Sequence, residues 1–87
     1  MSSYSVRHCN RRQMDIRSVV GLNVQRIRRE RRLSQEELSF RAAKTRAYIS
    51  GLEAGKRNPT ILTLAMLADA LAVEPNDLLR RQQKVDK

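Results

Sequence analysis

Two capping signals eleven residues apart constrain this chain more than anything else in it. Ser34 is followed three residues on by Glu37, and Thr45 opens a second pattern shortly afterwards. A Ser with Glu at that spacing forms a capping box, in which each side chain accepts from the other residue's backbone N–H. Glu36 also sits well beside the positive end of the same helix. Leu38 and Ala42 supply its apolar face, and Ile49 and Leu52 supply that of the next helix. The spacing therefore predicts two short helices joined by a few residues, the second spanning about 45–53, with Arg, Tyr and Ser on its polar face.

The rest of the chain reads as helices that complete the core. With Asp15 or Ser18 as N-cap, Val20, Val24 and Ile27 fall on one face, and Leu33 lies just past the end. Ala54-Gly55-Lys56-Arg57-Asn58-Pro59 reads as a loop, with Gly55 the expected left-handed terminator. Thr60 opens a fourth helix with Ile61, Leu64, Leu67, Ala68 and Leu71 on one stripe. Pro75 suits the first turn of a short fifth helix that buries Leu78 and Leu79. The expected class is all-α: five helices around one core over residues 14–79. Residues 1–13 are expected to be a flexible basic arm and residues 80–87 a polar tail.

Composition agrees with this. There is no Trp, one Phe and two Tyr, so an aliphatic core is required and strand-favouring aromatic runs are missing. The formal net charge is +9 and is unevenly placed. Residues 1–32 hold nine Arg against Asp15 and Glu30, a local balance of +7. Residues 58–79 hold Asp69, Glu74 and Asp77 with no Lys or Arg, a local balance of −3. A basic front and an acidic rear give an oriented footprint on phosphate, which makes nucleic acid the expected partner, and the capped pair of helices points to the major groove of double-stranded DNA.

Other classes find little support. Cys9 stands alone, so no intrachain disulfide can form, and a reducing, cytoplasmic (nucleoid-associated) setting is expected. His8 beside Cys9 offers two adjacent ligands without partners elsewhere, so no metal site is expected. No segment reads as a membrane span, and no cofactor or small-molecule ligand is evident. One His, one Cys and no paired carboxylates in a plausible cleft argue against an enzyme.

Residues from about 19 to 79 resemble the Cro/C1-type (XRE, lambda-repressor-like) helix-turn-helix family. The resemblance rests on an ordered set of blocks. These are Val20-Gly21 with Val24, Ile27 and Arg28; Leu33-Ser34-Gln35-Glu36-Glu37-Leu38; Tyr48-Ile49-Ser50-Gly51-Leu52-Glu53; Gly55-Lys56-Arg57-Asn58-Pro59-Thr60; and Leu64, Leu67-Ala68, Leu71 and Val73. In flavour it is similar to restriction–modification controller proteins. The family prefers Gly where this chain has Arg32, Ala43 and Ala72, and often an apolar residue at Lys44. Either these turns take another conformation or the domain carries strain, since a non-Gly residue in a left-handed turn costs roughly 1 kcal/mol.

The resemblance implies a sequence-specific transcriptional regulator, a repressor or controller, that binds operator DNA as a homodimer. The helix over about 45–53 would lie in the major groove. The alternative is an antitoxin-like interaction module that also binds its own operator. Gln35 is expected to meet phosphate at the start of its helix. Arg46 either forks onto a guanine or contacts phosphate, and the base reading is preferred. Thr45, Ala47, Tyr48 and Ser50 complete the contact surface, with Tyr48 either a contact or a packing residue. Gly51 is expected to let the helix approach the groove floor. Lys56, Arg57 and Asn58 are expected along the backbone, with Arg57 also within reach of a base. Arg28 and Glu53 are implied to be a structural ion pair, and Arg7, Arg11 and Arg12 to add arm contacts. Leu62 and Met66, apolar and off the core stripe of the fourth helix, mark the expected dimer interface.

Overall fold

The structure, a computed structural model, describes residues 15–82. The expected basic arm, with Arg7, Arg11 and Arg12, and residues 83–87 lie outside the described residues. Five helices follow one another: α1 (Ile16–Glu30), α2 (Gln35–Arg41), α3 (Arg46–Glu53), α4 (Ile61–Leu71) and α5 (Pro75–Leu79). Asp15 is the cap of α1, its Oδ1 accepting from the Arg17 N–H at 2.8 Å. The hydrogen-bonded Arg17 guanidinium holds this carboxyl down to about 2. Ser34, Thr45 and Thr60 cap the next three helices through their hydroxyls.

Helices α1 to α4 share one ending. A residue in the left-handed region donates its N–H three residues back, and the next residue donates five back. Leu33 N–H reaches Arg28 O at 3.0 Å, Lys44 reaches Ser39 O at 2.8 Å, Lys56 reaches Gly51 O at 2.9 Å and Val73 reaches Ala68 O at 2.9 Å. This double closure satisfies the orphan carbonyls of a helix end and demands a positive φ. Only Gly55 (φ 79°) meets that demand without a side chain. Arg32 (59°), Ala43 (57°) and Ala72 (61°) adopt it as well. Of the two alternatives for the turns that lack Gly, strain is the one realised.

The core is aliphatic, drawn from all five helices: Val24, Leu38, Ile49, Leu52, Leu67, Leu71 and Leu78 are fully buried. Two parts of the expected pattern fail. Ile61 is 85 % exposed, because it is the first residue of α4 and its turn projects beyond the packed stripe. Leu79 is 41 % exposed, since α5 is a single short helix that can turn only Leu78 fully inward.

Polar contacts hold the helices in register. Asn23, buried in α1, donates both amide hydrogens to the chain end of α5, at 2.9 Å to Leu78 O and 2.8 Å to Arg80 O. The Arg31 Nε–H caps α4 through Leu71 O at 2.9 Å. Gly21 lets α1 lie directly against the end of α3. A Cβ there would clash with the Leu52 carbonyl oxygen and stand 2.8 Å from that of Glu53.

Candidate nucleic-acid interface

The two short helices meet as their caps dictate. Ser34 and Glu37 form the full capping box, at 2.9 and 2.8 Å, and Thr45 Oγ1 accepts from Tyr48 N–H at 3.0 Å. Burial of Ile49 and Leu52 fixes the rotation of α3 about its axis. At 100° per residue the opposite face is that of Ala47 and Ser50, with Arg46 on one flank and Tyr48 and Gly51 on the other. Arg46, Ala47 and Ser50 are all exposed. Thr45 is exposed too, although its hydroxyl is engaged as the cap.

The implied ion pair is present and buried. Arg28 donates Nε–H to Glu53 Oε2 at 2.6 Å and Nη2–H to Oε1 at 3.1 Å. Its Nη1–H reaches Leu33 O at 2.8 Å. Gln35 joins the group, its Nε2–H donating to Glu53 Oε1 at 3.0 Å. Four points of the chain are thereby tied together: α1, the turn after it, the start of α2 and the last residue of α3. Such a pair brings little net stability, since desolvation offsets much of the Coulomb gain, yet it fixes geometry. By sequence Gln35 points to phosphate, to the first recognition residue or to ordinary helix-start polarity, and not to Glu53. Its partner lies eighteen residues away on another helix, so no local signal could have announced the bond.

The Tyr48 flank also differs from expectation. Tyr48 is half-buried and packs against the core, which is the packing alternative of the two. Arg57 folds back over it, with Cζ 5.3 Å from the ring centroid. The space above Gly51 is filled by the same side chain. A Cβ on Gly51 would meet Arg57 Nε at 3.1 Å and Cγ at 3.4 Å. Gly51 thus makes room for Arg57, where an open approach to a groove floor was expected. Lys44, which sequence reasoning treated only as a departure, sits 5.3 Å above the same ring.

Lys56 and Asn58 are exposed on the loop, and Asn58 lines a shallow notch with Ile16, Arg17, Pro59 and Leu79. Leu62 is 71 % exposed on α4 and Met66 is half-buried. Among the described residues no group of three or more His, Cys, Asp or Glu is placed to hold a metal. No helix among them is long and apolar enough to cross a membrane.

The capped pair of helices, its second member braced from behind and lined outward with Arg and small residues, lies within residues 24–78, which a family model described as Helix-turn-helix matches. The chain belongs to the helix-turn-helix family, of the Cro/C1 (XRE) type. It is a DNA-binding transcriptional regulator. The chain is 48 % identical over 66 residues to an uncharacterised HTH-type transcriptional regulator, y4dJ, of Sinorhizobium fredii. That match covers 76 % of this chain and 86 % of the relative. It is 41 % identical over 69 residues to the control protein C.SmaI of Serratia marcescens, covering 79 % and 82 %. Among solved structures it is similar to the restriction–modification controller protein C.AhdI from Aeromonas hydrophila. There the TM-score is 0.69 at 35 % identity, over 71 % of this chain and 94 % of that one.

Proposed function

We propose that this helix-turn-helix regulator binds operator DNA as a two-fold homodimer, each protomer laying α3 in the major groove. The observation that carries the reading is the orientation of α3. Its inner face is locked by Ile49 and Leu52, and its last residue by the Arg28–Glu53–Gln35 group, so Arg46, Ala47 and Ser50 project outward together. Arg46 reads a guanine through its forked donors, and Ala47 lies against a thymine methyl or lets the helix approach closely. Tyr48, Lys56, Arg57 and Asn58 follow the backbone, and Thr45 lies at the groove edge. Gln35 contributes mainly through the free amides at the start of α2, since its side chain is engaged with Glu53. The dimer forms through exposed Leu62 with Met66 on α4, away from phosphate. Relatives named as control proteins support a place among controllers of gene expression, and we place the action of this chain on the nucleoid in the cytoplasm.

Selection of bound sequences from random duplex DNA, followed by titration of Arg46→Ala, tests it. Two half-sites in inverted orientation are expected. Arg46→Ala should lose preference for the selected site by roughly ten- to hundred-fold, equivalent to ~1–3 kcal/mol for a bidentate base contact. An equal loss of affinity on every sequence would reduce Arg46 to a phosphate contact.

A further inference from the structure

The Tyr48 flank of α3 carries a charged group that the reading above does not use. Lys44 stands one residue before the Thr45 cap, and its N–H closes α2 through Ser39 O at 2.8 Å. The residue at this place in a helix ending is commonly apolar and packs back on its helix. Leu33, at the equivalent place after α1, is buried in that way. Lys44 is half-buried instead, with its ammonium 5.3 Å from the Tyr48 centroid. Arg57 lies at the same distance from the same ring, its stem seated on Gly51.

Two like charges therefore share one aromatic ring, and among the described residues neither is paired with a carboxylate. Each is attracted to the ring's electron-rich face and neither charge is neutralised by a carboxylate, so this flank favours an anionic partner. Groove geometry says which anion. A helix with its side chains is about 10–12 Å across and the major groove about 12 Å wide. When Ala47 and Ser50 face the base edges, the flanks of α3 must face the sugar-phosphate walls.

We propose that Lys44 is a phosphate-contacting residue of the interface, closing with Arg57 over the Tyr48 ring to clamp one strand's backbone. This rests on the placement of α3 in the major groove. The ring holds both cations in position before DNA arrives, so less side-chain freedom is lost on binding than for free surface lysines.

Salt titrations of Lys44→Met, Lys44→Gln and Lys44→Arg, on the selected site and on random duplex of equal length, test the proposal. Met retains the stem that covers Tyr48, and Gln keeps a polar head, so a folding defect in one substitution, seen by its melting curve, does not decide the result. For Met and Gln, the slope of log affinity against log salt should fall by about 0.9 per protomer bound. Affinity should drop by the same factor, on the order of fivefold to tenfold per contact at 0.1 M salt, on both DNAs. Lys44→Arg should keep the wild-type slope. A wild-type slope in the Met and Gln variants overturns the proposal, as does a loss confined to the selected site. A wild-type protein without preference for any selected sequence sinks base reading by α3 instead, because the Lys44 slope is read on random duplex alone.

Discussion

Three left-handed residues that are not glycine make a quantitative test of how this fold is held. Arg32, Ala43 and Ala72 have φ of 59°, 57° and 61°, and all three are exposed. A side chain in that conformation costs roughly 1–2 kcal/mol relative to glycine. Glycine returns about 0.4–1 kcal/mol of this through the greater freedom of the unfolded chain. The net gain from replacement is about 0.5–1 kcal/mol at each site. The sites end three different helices, and Arg31 links the turns after α1 and α4 by donating to Leu71 O and Ala72 O, so nearly additive gains should reach roughly 1.5–3 kcal/mol. At about 4–8 °C per kcal/mol for a domain of this size, Arg32→Gly/Ala43→Gly/Ala72→Gly should melt roughly 6–24 °C above wild type. The assay is thermal unfolding followed by circular dichroism, at fixed protein concentration and without DNA, because dimerisation and ligand both shift Tm. Gly55→Ala is the mirror control. Its φ is 79° and a Cβ would stand 2.7 Å from Ser18 Oγ, so it should melt below wild type. A triple variant melting at or below the wild-type temperature refutes the strain argument.

Removing one partner of the buried pair should be costly. Glu53→Ala leaves the Arg28 guanidinium and the Gln35 amide without their acceptor, and denaturant unfolding should show a loss of about 3–5 kcal/mol. Gly21→Ala drives a methyl into the backbone of Leu52 and Glu53, so α1 must shift from α3; a loss of at least about 2 kcal/mol is expected in the same assay, well beyond an ordinary surface change. Leu62→Glu/Met66→Glu should remain folded yet sediment as a monomer at concentrations where wild type is dimeric. An unchanged dimer would place the interface elsewhere.

Much of the fold was legible in sequence because its signals are local. Ser34 with Glu37, Thr45 and Thr60 each satisfy N–H groups within three residues, so their roles follow from spacing alone. The aliphatic stripes likewise name the inner faces, and the major helices bury the residues expected of them. Where the periodic pattern failed, at Ile61 and Leu79, the residues lie at helix ends, and only packing decides whether a terminal turn is covered. Of the candidate site, the outward set of Arg46, Ala47 and Ser50 followed from knowing that Ile49 and Leu52 turn inward. The associations of Gln35 with Glu53, and of Arg57 with Gly51 and Tyr48, were not readable.

The order of residues along the chain is enough to specify the helices, their caps, the side of each that faces the core, and a charge distribution suited to a polyanion. These depend on backbone periodicity and on bonds spanning a few residues. The tertiary structure decided what spans many. It brought Arg28, Gln35 and Glu53 into one buried group, folded Arg57 over Gly51, and set Lys44 and Arg57 on one ring. It also settled that Arg32, Ala43 and Ala72 accept left-handed strain. The physical reason is that a helix end must satisfy its carbonyls within the path the packed core allows, whatever residue stands at the turn.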